Sequence, residues 1–210
     1  MAIGESIFDI FYLLFILYMY KSINNEYHEK YITYVKYAVL LLLIGDSCHL
    51  IPRVLNYFIN YDFSMFIGLG KFITSITMTL FYYLLYKTYN KRNDLLVNVL
   101  LISRIVLCLL PGNGWLINNG TYIMGIIRNI PFVILGIIVI IKFYGDRKDD
   151  FLKYVWLYMI FSFLFYLPVV LGASFIPMLG MFMIPKTICY MKIVSKLYDY
   201  TDYINGWNKE

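Results

Sequence analysis

Apolar residues run in long blocks along this chain, and polar residues collect between them. Seven blocks read as membrane-crossing helices, at about 5–21, 33–53, 64–86, 94–111, 122–143, 151–172 and 174–196. A helix that crosses the hydrocarbon layer needs about 20 mostly apolar residues, fewer where flanking side chains reach out to the interface. Turn-forming or charged stretches separate the blocks, as at Asn24-Asn25-Glu26, Pro111-Gly112-Asn113-Gly114, 90–94 and 145–150. The break at 172–177 is the least marked. The pattern predicts an all-α membrane protein, with a seven-helix domain over 1–198 and a short cytoplasmic tail at 199–210. No basic segment precedes the first block and no small-residue cleavage site follows it. That block is therefore expected to be retained as a helix, not removed as a leader.

Composition agrees. Of 210 residues, 61 % are hydrophobic and 15 % charged, and the mean hydropathy is +0.68. A soluble domain averages about 45–50 % apolar and about 25 % charged. A soluble globule of this size leaves much of its surface in water. A soluble enzyme is excluded on these grounds, as is a disordered or nucleic-acid-binding tail. The abundance of Lys, Ile, Tyr and Asn is that of an AT-rich, bacterial genome.

The net charge of +5 is distributed by loop. Lys21 and Lys30 follow the first block; Lys87, Lys91 and Arg92 follow the third. Lys142, Arg147, Lys148 and Lys153 follow the fifth, and Lys192, Lys196 and Lys209 end the chain. The alternate loops carry only Arg53, at a helix edge. Basic loops stay in the cytoplasm, so the N-terminus is expected outside and the C-terminus inside, in the cell membrane.

Ionisable residues also interrupt the apolar blocks: Asp9, Asp46, His49, Lys71, Arg104, Arg128 and Lys186, with Arg53 at a helix end. Each costs about 2.5–3.5 kcal/mol at mid-membrane and is a functional hypothesis by default. With the orientation above, they converge on the outer half of the bilayer. Asp46, His49 and Arg53 follow i, i+3, i+7 and share one helical face. Lys71, Thr74 and Ser75 do the same on the third block, and Lys186 and Thr187 follow Pro185 on the last. Asn129 stands beside Arg128, just before Pro131. One outward-facing polar cavity is expected. Its cations outnumber Asp9 and Asp46, so its ligand is expected to be an anion: a phosphate, a carboxylate or a lipid headgroup.

Each residue also has a purely structural reading. Arg104 and Arg128 pair with Asp46 and Asp9 as packing glue, with Asp9 the secondary ion-pair candidate. Lys71 reaches out to the interface, and His49 is a hydrogen-bonded core residue. Thr74 and Ser75 bond their own helix backbone. Gly68 and Gly70 allow close helix packing. Cys48, Cys108 and Cys189 are small apolar residues, and neither a metal site nor a cofactor is expected.

Two resemblances bear on function. The segment Gly45-Asp46-Ser47-Cys48-His49-Leu50-Ile51-Pro52-Arg53 resembles the GD-x-x-x-L-x-P-R segment of the bacterial YhhN family, the lysoplasmalogenases. Gly70-Lys71-Phe72, Phe81-Tyr82-Tyr83 and the stretch from Cys189-Tyr190 to Tyr198 are similar to later helices of that family. The resemblance implies a lipid-directed activity and carries Asp46 across as the candidate acid or base. The family's second acidic residue, expected in the next-to-last helix, is missing here, and its usual eight spans become seven. A shift of 120 residues also superposes the first blocks on the fifth and sixth, as Asp9-Ile10 on Asn129-Ile130. This resembles the parallel 3+1+3 repeat of SWEET-type transporters, without their PQ dipeptide.

Three functions follow as expectations. The first is a pocket for a (lyso)phospholipid headgroup, with Asp46 and His49 as an acid/base pair that hydrolyses it. Arg53, Lys71, Thr74, Ser75, Arg104, Arg128, Asn129, Lys186 and Thr187 would hold the ligand. The alternative is a SWEET-like transporter of a small anionic solute, and the third is a seven-helix receptor or sensor. The expected partners are membrane lipids, not nucleic acid.

Overall fold

The computed structural model describes residues 2–24, 29–89, 94–173 and 175–207. Lys91, Arg92 and Lys209, counted above among the basic loop residues, lie outside them. The described regular structure is helical throughout: α1 Ala2–Ser22, α2 Lys30–Phe58, α3 Ser64–Tyr89, α4 Leu95–Leu109, α5 Tyr122–Ile127, α6 Asn129–Gly145, α7 Val155–Gly172 and α8 Met183–Trp207. Short 3-10 turns at Pro111–Asn113 and Pro177–Phe182 follow α4 and precede α8.

Six of the described helical stretches are long and apolar enough to cross a membrane, α5 and α6 counting together as one stretch from Tyr122 to Gly145. The chain is a helical, multi-pass type of membrane protein on this evidence of length and apolarity. The count differs from the seven blocks at α4, whose 15 residues span only about 22 Å. Pro111 and the Gly-rich loop behind it end that helix early.

The outside of the bundle is apolar, as a lipid-facing surface is. Large apolar side chains cover the outside: Leu14, Ile44, Ile102, Ile137, Leu164 and Ile188 are all exposed. Helices touch in succession from α1 to α4 and from α5 to α8, α4 reaches α6, and α1 returns to α8, which closes the bundle. Its centre is a cluster of buried aromatic rings. Tyr82 lies 5.4 Å from both Phe132 and Phe163, centroid to centroid, and Phe81 lies 5.9 Å from Tyr190. The Tyr82–Phe132 and Phe81–Tyr190 pairs meet edge to face, an arrangement that contributes about 0.5–1.5 kcal/mol beyond burial.

Several boundaries differ from the sequence pattern, each for a local reason. α2 continues through Pro52 to Phe58. Pro52 has no N–H to offer the Cys48 carbonyl, and α3 covers that spot: a Cβ on Gly70 would overlap the same carbonyl. Gly68 meets the Trp115 carbonyl in the same way. The expected fifth span is broken at Arg128, because Pro131 cannot donate to the Ile127 carbonyl. The last helix begins at Met183, behind a 3-10 turn, and runs on to Trp207. The expected tail is thus helical from 199 to 207. Tyr203 on it stacks on Phe151, the Tyr200 ring lies tilted beside the same Phe151, and Lys196 bonds Asp199 one turn away.

Candidate functional site

The helices alternate in direction, so the C-terminal parts of α2, α4 and α7 meet the N-terminal parts of α3, α6 and α8 at one end. The loop between α4 and α5 lies over that end. There a cavity of about 470 Å³ opens, bordered by every helix from α2 to α8. Such a volume is ordinary for a small-molecule site.

The cavity is built from cations held by neutral partners. Arg104 on α4 is only 2 % exposed. Its guanidinium donates to the backbone carbonyl of Arg128 at the α5–α6 break and lies 5.5 Å from the Phe132 ring. Arg104 thus fastens α4 to the residue at which α6 begins. Arg128 donates to Asn113 Oδ1 at 2.8 Å and stacks 4.3 Å from Trp115. Lys71 on α3 donates to Asn118 Oδ1 at 2.9 Å. Lys186 on α8 lies 4.7 Å from the Tyr166 ring. The Nε groups of Arg104 and Arg128 have no hydrogen-bond partner among the described residues. No Asp or Glu borders the cavity among them.

The pairing of Arg104 and Arg128 with Asp46 and Asp9 is therefore not the one found. The ion pair at this end joins Arg53 to Glu5, and Tyr57 donates to the same carboxylate at 3.1 Å. Asp9 forms no salt bridge among the described residues. Asp46 accepts a hydrogen bond from the Tyr12 hydroxyl.

The expected single cavity is two adjoining ones. Lys71, Thr74, Ser75, Arg104, Arg128, Asn129, His49 and Lys186 border the larger. Asp9, Asp46, Arg53 and Thr187 border a smaller one of about 50 Å³ between α1, α2 and α8. His49, Thr74, Met183 and Lys186 belong to both. Thr74 donates to the Gly45 carbonyl across the α2–α3 contact at 2.7 Å. Ser75 and Thr187 bond back to Lys71 and Met183 of their own helices, each at 2.8 Å. Asn129 donates to Gly125 and accepts from Tyr166, each at 2.7 Å, so it staples α5 and α7 to α6.

No family model, no curated protein and no solved structure matches this chain. The site stands on its residues alone.

Sequence reasoning passes over several of them. Asn113, Trp115 and Asn118 sit in a loop, where polar residues are unremarked. Asn113 is nevertheless buried, with its amide donating to the Leu107 and Leu110 carbonyls at 2.8 Å. It closes the end of α4 while holding Arg128. The signal that singles it out is the pair of glycines around it: Gly114 has φ of +56°, and the chain folds back so that Thr121 bonds Gly112.

Proposed function

We propose that this chain is a seven-span protein of the cell membrane whose larger cavity binds an anionic headgroup, that of a (lyso)phospholipid. One observation carries the reading: Lys71, Arg104, Arg128 and Lys186 border a single cavity in which no described carboxylate stands against them. The Nε groups of Arg104 and Arg128 are buried with no acceptor among the described residues. A phosphate or phosphodiester supplies acceptors and charge together, and Arg suits both. The outside surface of the helices is apolar, which puts the ligand's acyl chain in reach of the same lipid layer.

In this reading α4 is the seventh span, short but packed against α3 and α6. The cavity faces outward, because Lys21, Lys87, Lys142, Arg147 and Lys148 lie at the other end and favour the cytoplasm. The lysoplasmalogenase likeness bears on Asp46. His49 borders the ligand cavity directly and would act on the ligand, with Asp46 in the adjoining cavity as its proton reserve.

The SWEET-like alternative requires a way through. The ring cluster of Tyr82, Phe132 and Phe163 lies beneath the cavity, and Phe132 belongs to both. That favours a closed-bottomed site over a passage.

The test is binding of lysophosphatidylglycerol against lysophosphatidylcholine to the purified protein in mild detergent. The anionic lipid is expected to bind and the zwitterionic one to bind more weakly. Arg128→Ala removes a charge-assisted contact of about 1.5–3 kcal/mol, a loss of tenfold or more. Equal binding of both lipids, unaffected by Arg128→Ala, defeats the proposal. Mass spectrometry of the same mixtures separates the two forms of it. A lipid altered by the natural protein but not by His49→Ala or Asp46→Asn marks a hydrolase. A lipid bound unaltered marks a binding site.

A further inference from the structure

The smaller cavity holds what the larger one lacks. Three carboxylates border it: Glu5, Asp9 and Asp46. Glu5 is engaged at the rim by Arg53 and Tyr57. Asp9 is only 6 % exposed, and its Oδ2 has no hydrogen-bond partner among the described residues. Neither Asp9 nor Asp46 has a salt bridge among them. A buried carboxylate with a bare oxygen is costly as an anion, and a proton removes that cost.

Among the described residues, one cation stands between this cavity and the other. Lys186 borders both. On one side its ammonium acts electrostatically on Asp46. On the other it lies over Tyr166, which borders only the larger cavity. An anion in the larger cavity thus competes with Asp46 for one charge.

We infer that the Asp9–Asp46 cavity is a proton-binding site coupled to anion occupancy through Lys186. Each anion bound beside Lys186 draws a proton from water onto the Asp46 carboxylate. The inference rests on the anion-site reading above. Linkage is reciprocal, so protonation tightens anion binding by the factor that the anion tightens proton binding, about 5–150-fold in typical cases. The groups around Asp46 are Glu5, Asp9 and Tyr12 from α1 and Lys186 and Tyr190 from α8. Its own helix adds His49 and Arg53, and α3 presents Thr74, which does not titrate. Of these, His49 is the rival proton acceptor, since it too borders both cavities.

Isothermal titration in buffers of different ionisation enthalpy counts the protons taken up. The probes are glycerophosphorylglycerol, a free solute, and lysophosphatidylglycerol, a lipid. Both are phosphodiesters whose own charge stays fixed near neutral pH. The natural protein is expected to take up close to one proton per probe bound and to bind more tightly at lower pH. Asp46→Asn is expected to bind without uptake and with little pH dependence. Lys186→Met is expected to bind more weakly, also without uptake, and it keeps the test open if Asp46→Asn fails to fold. His49→Gln is expected to leave the uptake in place. Binding without proton uptake overturns the coupling and leaves the anion site standing. Uptake that survives Asp46→Asn and vanishes in His49→Gln also overturns it. Absence of binding by both probes overturns the anion site, and the coupling falls with it. Uptake with the lipid alone assigns the coupling to a headgroup, and uptake with both assigns it to the phosphodiester in any form.

Discussion

Asp62 shows how a single side chain can set a helix entrance. It lies in the connection before α3, and Ser64 N–H donates to its carboxylate at 2.9 Å. The Ser64 hydroxyl and backbone hold this carboxylate below the ordinary value of 3.8. A carboxylate lowered in the folded state contributes stability above its unfolded value, and the contribution disappears as pH falls through the folded one. Asp62→Ala is therefore expected to lower the thermal midpoint at neutral pH. The gap between the two proteins should close in acid, below 3.8. A gap that stays constant into acid would assign the effect to something other than the charged cap. The intramembrane cations, by contrast, were legible in the sequence because a charge in an apolar block is visible at once. Their partners were not. Glu5 is unremarkable near a chain start, yet it takes Arg53. Which side of α8 Lys186 occupies, and so the division into two cavities, depends on packing that no helical-face count supplies.

At the scale of the helix, proline does much of the shaping. Pro52 leaves the Cys48 carbonyl without its helical donor, and Gly70 brings the bare backbone of α3 against it. Close backbone approach at small residues is a principal source of attraction between helices in lipid. Gly70→Ala puts a methyl group into backbone that cannot yield. The expected cost is about 1–3 kcal/mol, read as an earlier unfolding transition in detergent. Gly125→Ala, where a Cβ meets open space, is the control expected to cost little. Long helices with uniform apolar content, such as α3, were readable from the blocks to within a few residues. Ends governed by a tertiary contact were not. α8 outruns its apolar block because Tyr200 and Tyr203 on its last turns pack on Tyr31 and Phe151.

Across the whole molecule, the cationic cavity and most of the basic loop residues lie at opposite ends. A topology experiment reads this directly. In a background lacking Cys48, Cys108 and Cys189, a cysteine at Asn119 is expected to react with a membrane-impermeant maleimide on intact cells. A cysteine at Lys148 is expected to react only after lysis. The reverse result would turn the cavity to the cytoplasm and remove the outer leaflet as the source of its ligand. The all-helical class and its long apolar helices were legible from hydropathy, since the apolar blocks become helices whose large apolar side chains stay exposed on the bundle surface. No carboxylate among the described residues borders the larger cavity. Arg128 acts electrostatically on Lys71, and Arg104 on Arg128. Like charges confined in about 470 Å³ push against one another. A guest anion relieves that push and so becomes a stabilising component of the fold, adding about 2.7 kcal/mol when present at a hundred times its dissociation constant. Without a bound anion, Lys71, Arg104 and Arg128 are held apart by the neutral oxygens and rings beside them.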